Sequence, residues 1–206
     1  MGDLDFLQIG LSLAVLVGSL TVHEAAHAWA ANQLGDPTAR RLGRLTLNPV
    51  AHIDPIGTLL FPLLAAATGL PLIGWAKPVP VDFRNLRSPR RDFALVAAAG
   101  PASNLVMAVI GALWLQFVPE GLSGGVLGYA MLLLVIVNVL LAVFNMLPIP
   151  PLDGGNVLIG VLPAPAARVV EQLRPYGIFV LYGLMFSGAF RAVVGPVQTR
   201  LLGWLL

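Results

Sequence analysis

Apolar positions along this chain fall into long unbroken runs, and the polar positions collect between them. Five hydrophobic segments stand out: A at 6–34, B at 55–76, C at 92–118, D at 126–147 and E at 176–190. No Asp, Glu, Lys or Arg occurs between 93 and 118 or between 121 and 152. Uncharged apolar runs of about 18 residues or more are long enough to cross a bilayer as helices. Segment B is broken by Pro62, Gly69 and Pro71, and segment E is short and carries Gly177, Gly183 and Gly188. The last stretch, 191–206, mixes Arg191 and Arg200 with apolar residues, a pattern suited to the membrane interface. Ahead of segment A stand Asp3 and Asp5 and no cation. A cleaved signal wants a positive start and a shorter apolar core, so segment A reads as a retained helix.

Cations mark the loops. Arg40, Arg41 and Arg44 follow segment A, Lys77, Arg84, Arg87, Arg90 and Arg91 lie between B and C, and Arg168 and Arg174 lie between D and E. The positive-inside rule places all of these loops in the cytoplasm. That is satisfied only if segment B does not cross. Its prolines and glycines permit a re-entrant or interfacial path, provided the freed backbone groups face protein or water. The competing reading is a spanning B with one loop that breaks the charge rule. Residues 44–47 alternate polar and apolar, and KPVPV (77–81) is extended by its prolines. The two suit a short β-hairpin at the membrane surface, and an irregular loop fits the same pattern equally well. Trp29 and Trp75 read as interfacial anchors.

Composition sharpens this picture. Hydrophobic residues make up 57% of the 206 and charged residues 11%, against about 25% charged in a typical soluble domain. An ordinary soluble domain and a disordered chain are excluded. With a net charge of +2 and its cations set between apolar runs, the chain has no nucleic-acid signature. The absence of cysteine removes disulfides, iron–sulfur clusters and thiol nucleophiles, so any metal site must use His, Asp or Glu. The expected architecture is an all-α polytopic membrane protein. It has about four transmembrane helices, a re-entrant or interfacial segment and the surface hairpin. It forms one domain over 1–206, with a core at 6–162 and C-terminal helices at 163–206.

The chemistry sits in segment A. His23-Glu24-Ala25-Ala26-His27 is an HExxH pattern. Residues i and i+4 of a helix lie about 40° apart around its axis, so both imidazoles can face one metal ion. Glu24, next to the first ligand, can reach a metal-bound water as general base. A buried glutamate in a membrane span is costly and points to function. The bland alternative is a hydrogen-bonded cluster that holds helices together. A catalytic zinc wants three protein ligands and one open position. The best third ligand is Asp153 in PPLDGG, which directly follows segment D and is followed by two glycines. An N-cap for a following helix is its other reading. For His23, His27 and Asp153 to meet at one depth, segments A and D must run in the same direction. That requires an odd number of crossings between them, and a non-crossing B leaves C as the single one. The metal then lies within the membrane towards its cytoplasmic face.

Three motifs in order, HEAAH (23–27), AGPASN (99–104) and NMLPIPPLDGG (145–155), resemble the site-2 protease family of intramembrane zinc metalloproteases. RLTLNPVAHIDPIGT (44–58) and GWAKPVPVDFRN (74–85) are similar to its small bacterial members, without a PDZ or CBS domain. The resemblance implies a multi-pass enzyme of the bacterial plasma membrane that cleaves transmembrane segments of protein substrates. It implies one zinc ion held by His23, His27 and Asp153, with Glu24 as catalytic base. Asn145 matches a position implicated in substrate binding. Asn104 matches the asparagine of the second motif and is placed with it as a substrate-binding candidate. The aspartate motif reads PPLDG where the family often has NPDG, a common variant. From the residues alone, both asparagines also fit interhelical hydrogen bonds, and Asn138 reads as packing. His52 has three readings: a transient fourth ligand that closes the resting site, a residue lining the site entrance, or a satisfied interfacial residue. A membrane metal-binding protein or ion carrier, or a catalytically silent scaffold, would use the same ligands.

Overall fold

The computed structural model describes residues 6–68, 76–119 and 124–206. Its helices are α1 (Phe6–Gln33), α2 (Thr38–Arg41), α3 (Phe61–Thr68), α4 (Pro89–Phe117), α5 (Gly125–Asn145), α6 (Asp153–Val161), α7 (Ala164–Gln172), α8 (Gly177–Phe186) and α9 (Ala189–Leu205). Three of them, α1, α4 and α5, are long and apolar enough to cross a membrane. The expected four spans are reached only if Ala164–Phe186 and Ala189–Leu205 count together as one, and these two stretches meet at 80°. The bend falls at Ser187–Gly188, where Gly188 takes a left-handed φ of 77° that L-residues avoid. Segment E forms the ten-residue α8 on one side of this bend, and 191–206 belongs to α9 on the other. That helix packs Leu201, Leu202 and Leu205 against α4 and α5.

The three long helices alternate in direction. His23 and His27 of α1 face Asn104 and Val96 of α4, so rising numbers on one meet falling numbers on the other. Asn138 of α5 meets both Asn104 and Ser19. Thus α1 and α5 run the same way and α4 runs against both. Residues 34–88 accordingly leave and rejoin the bundle at one end. Small residues let α4 close on its neighbours. Ala108 and Ala112 interlock with Val135 and Val139 of α5, and Ala30 and Ala31 of α1 with Val96. In a bilayer, where lipid is as apolar as leucine, such close backbone packing is what holds helices together. Leu105, Val106, Val109, Ile110 and Leu113 cover the outer face of α4 and are left for lipid.

Segment B opens with a π-helical turn, Pro55–Leu60, that runs straight into α3. Asp54 starts it by accepting hydrogen bonds from the backbone N–H groups of Ile56 and Gly57. The rest of B, 69–75 with Trp75, lies outside the described residues. Trp29 is 59% exposed on α1, as an anchor should be.

Among the described residues there is no strand, so the hairpin expected from 44–47 and 77–81 does not form. Pro78 and Pro80 carry no N–H and cannot supply a ladder. The two segments are joined instead by a side chain, the Arg44 guanidinium donating to the Lys77 carbonyl. The extended stretch 76–82 is pinned at both ends. Lys77 N–H donates to the His52 carbonyl, and Asp82 N–H donates to Asp36.

Asp36 is fully buried and also accepts from the Thr38 N–H and hydroxyl and from the Asn85 amide. Burial pushes its carboxyl up, but the bonds from Thr38, Asn85 and Asp82 outweigh this and hold it below the usual carboxylate value of 3.8. A lowered native pKa means that this clasp is fully formed above pH 3.8 and weakens as the pH falls below it. Asp36→Asn is expected to lower the thermal midpoint at pH 7 by about 2–8 °C, from the loss of ~1–2 kcal/mol of charge-assisted bonding. The difference from wild type should shrink as thermal scans are taken from pH 4 towards pH 2.

Candidate metal centre

His23 and His27 project from the buried second half of α1, one turn apart, with their ring planes 87° to each other. Asp153 arrives from another part of the chain, as the first residue of α6 just past the end of α5. The turn that delivers it is tight. A Cβ on Gly154 would overlap the Met146 backbone, and one on Gly155 would overlap Pro150. The two glycines after the aspartate are therefore needed for close approach.

The three ligand atoms converge. His23 Nε2 and His27 Nε2 are 3.0 Å apart, and Asp153 Oδ2 lies 3.2 Å from the first and 3.4 Å from the second. Ligand atoms bound at about 2.0–2.1 Å to one tetrahedral zinc stand roughly 3.3 Å from one another. The observed triangle has that size. The proton positions agree. His27 Nδ1 lies 2.7 Å from the Val96 carbonyl, which can only accept, so Nδ1 carries a proton and, in the neutral ring, Nε2 presents the lone pair. Asp153 Oδ2 is buried and has no hydrogen-bond partner. An imidazole nitrogen and a carboxylate oxygen facing one another at this spacing fit a shared cation, and among the described residues this is the one trio that could hold an ion. Asp153→Ala is expected to cost at least about 100-fold in zinc affinity, measured by chelator competition, since it leaves two imidazoles of a three-ligand set.

Glu24 is buried beside the trio but outside it. Its Oε2 accepts a 3.0 Å hydrogen bond from the backbone N–H of Val79. Flanked by Pro78 and Pro80, Val79 has the only N–H of that tripeptide, and it is aimed at Glu24. All four residues of this centre line one cleft of about 590 Å³, walled mainly by apolar side chains of α1, α4, α5, α8 and the 76–81 stretch.

The remaining sequence candidates separate. Asn145 lines the cleft, and its amide nitrogen donates to the Leu141 carbonyl one turn back. Asn104 does not line it. It is fully buried, with Oδ1 2.6 Å from His23 Nδ1, so the structure places it behind His23 and away from the cleft. His52 is absent from the trio. It is buried with Nε2 2.9 Å from the Thr46 carbonyl, while its Nδ1 has no hydrogen-bond partner, so only one of its two ring nitrogens is satisfied.

Sequence reasoning missed five groups. Gly100, read as a small packing residue, is where a Cβ would overlap His27 Nε2 and the His23 ring. The Val96 carbonyl and Val79 N–H are main-chain groups that no motif reveals. Asn156 and Arg174, hydrogen-bonded at 2.8 Å, place a guanidinium in the cleft wall.

Fold and site together define a helical protein with three helices of membrane-spanning length around a trio that could hold a metal ion, with a carboxylate beside it. The profile described as Peptidase family M50 matches residues 122–187, which include α5 and Asp153. The chain is 38% identical over 203 residues to "Putative zinc metalloprotease YwhC" of Bacillus subtilis, covering 93% of this chain and 90% of that protein. It is 31% identical over 185 residues to "Putative zinc metalloprotease Rip2" of Mycolicibacterium smegmatis, covering 88% and 70%. Against the protein of the same name from Mycobacterium tuberculosis H37Rv the identity is 32% over 184 residues, covering 86% and 68%. No solved structure matches the chain significantly. The chain belongs to peptidase family M50.

Proposed function

We propose that this protein is a zinc-dependent intramembrane endopeptidase that hydrolyses peptide bonds in or near transmembrane segments of other membrane proteins. The observation that carries this reading is the His23–His27–Asp153 triangle, of zinc-ligand size, at the foot of an apolar cleft inside a bundle of spanning-length helices. Relatives named as zinc metalloproteases support the metal and the reaction class. His23, His27 and Asp153 would hold one zinc ion, which when bound polarises a carbonyl and brings the pKa of a coordinated water to about 7.

The chain's own residues supply the rest. Glu24 takes the proton of the attacking water and returns it to the departing amine. The Val79 N–H holds Glu24 Oε2, which leaves the other carboxylate oxygen for that proton. Asn145 sits where its amide can donate to the developing oxyanion once it releases the Leu141 carbonyl. A substrate helix must unwind to be cut, because its carbonyls are otherwise bonded internally. The unwound stretch can pair with main-chain groups of 44–47 or 77–81, the latter chiefly through its carbonyls, since Pro78 and Pro80 have no N–H and the Val79 N–H is held by Glu24. The second runs along the cleft wall.

The antiparallel arrangement of α1 and α4 supports a segment B that does not cross. With the positive-inside rule this puts the cationic loops and the metal end of α1 towards the cytoplasm. The test uses the purified full chain, zinc-loaded, with a single-span substrate carrying helix-breaking residues. Cleavage by wild type and none by Asp153→Ala is expected. Equal cleavage by both would overturn the proposal.

A further inference from the structure

We propose that Asn138, which belongs neither to the ligand trio nor to the cleft lining, is a positioning residue that fixes the tautomer of His23. This rests on the reading of His23 as a metal ligand. A ligating imidazole must keep its metal-facing nitrogen free of a proton. For His27 the Val96 carbonyl enforces this directly. For His23 the partner is the side-chain amide of Asn104, which can present either an oxygen or an NH₂. With the oxygen towards His23, Nδ1 carries the proton and Nε2 is open to the metal. With the NH₂ towards it, the tautomer reverses and Nε2 is blocked.

What decides between the two lies on the far side. Asn104 Nδ2 donates to Asn138 Oδ1 at 2.8 Å. Asn138 is another amide, and its orientation is decided by Leu134. The Leu134 carbonyl can only accept, so the group 2.8 Å from it must be the nitrogen of Asn138. The second proton of that nitrogen goes to Ser19 Oγ, also at 2.8 Å. Direction is thus passed from a backbone carbonyl of α5 through Asn138 and Asn104 to His23. Ser19 returns the chain to α1, one turn before His23. Ser19, Asn104 and Asn138 are each 0% exposed. No bulk water reaches the core of such a bundle to replace a lost partner, so the relay has no substitute.

The experiment uses the full chain in micelles with ¹⁵N-labelled histidine. There are only three histidines to assign. In wild type stripped of zinc, His23 is expected to carry its proton on Nδ1, and an Nε2-protonated ring there overturns the proposal without any variant. In Asn138→Leu, the released Asn104 amide should give a mixture of tautomers, and zinc should bind about tenfold or more weakly by chelator competition. Asn138→Asp is the rescue. Buried among apolar groups it is a neutral acid, with OH for Leu134 and C=O for Asn104, and it should bind zinc within about threefold of wild type.

Equal weakening by Leu and Asp would show a packing role and overturn the proposal. So would Asn138→Leu with unchanged zinc affinity and an intact Nδ1–H. If Asn138→Leu does not fold, the wild-type tautomer and the Asp variant still decide. A failure of the peptidase reading would show as absent cleavage, which moves neither readout.

Discussion

Glu24→Gln is expected to leave zinc bound at wild-type affinity while peptide cleavage falls by about 10²–10⁴-fold, the range for removing a general base. Geometry separates the two effects. Glu24 stands outside the ligand triangle, so its charge is not part of the ligand set. Glutamine keeps the carbonyl oxygen that accepts from the Val79 N–H, so the extended 76–82 stretch should stay in place. What is lost is the capacity to accept a proton. Zinc content by mass spectrometry and cleavage of a single-span substrate give the two readouts on one preparation. Zinc lost from a folded Glu24→Gln chain would make Glu24 part of the metal's support rather than the base. Cleavage retained in that variant would remove it from the mechanism.

Gly100→Ala is the second large effect, and it acts by volume rather than charge. The added methyl would overlap His27 Nε2 and the His23 ring, which cannot both retreat. Helix α4 must therefore back away from α1. As it does, it lengthens the bonds from Val96 to His27 and from Asn104 to His23, both carried on the same helix. Losing one such supporting partner typically costs about 10–100-fold in metal affinity. Losing two together is expected to cost on the order of 10²–10⁴-fold. Gly18→Ala on α1 is the control, because a Cβ there meets nothing within 4 Å. Zinc held as tightly by Gly100→Ala as by Gly18→Ala would mean that α4 does not press on the site.

Much of the centre was legible because its chemistry is local or expensive. HEAAH places two imidazoles by helix geometry alone, and a carboxylate beside them in an apolar run has few structural excuses. Asp153 followed from the scarcity of other donors and from the direction in which α5 must run. The parts that escaped are those whose meaning is set by a neighbour distant in sequence. Asn104 pointed to substrate when read from its motif, yet the partner across the helix interface is His23. Asn138 looked like packing because its role lies two hydrogen bonds from the metal. Segment E reads in sequence as a short apolar run, and the 80° bend that follows it at Gly188 does not show in a hydropathy pattern. The hairpin failed because two prolines removed the donors that a ladder needs.

The placement of the ligands has one more consequence. His27 and Asp153 lie more than a hundred residues apart along the chain, and α4 and α5 fall between them. A shared ion is thus a cross-link that closes a long loop, in a chain whose lack of cysteine denies it any disulfide. By loop-closure entropy, a tie of that span restrains the unfolded chain by roughly 4–5 kcal/mol, as much as a disulfide closing a loop of about 100 residues. The catalytic metal would then also fasten the bundle, and stripping it should loosen the helices before any substrate is present.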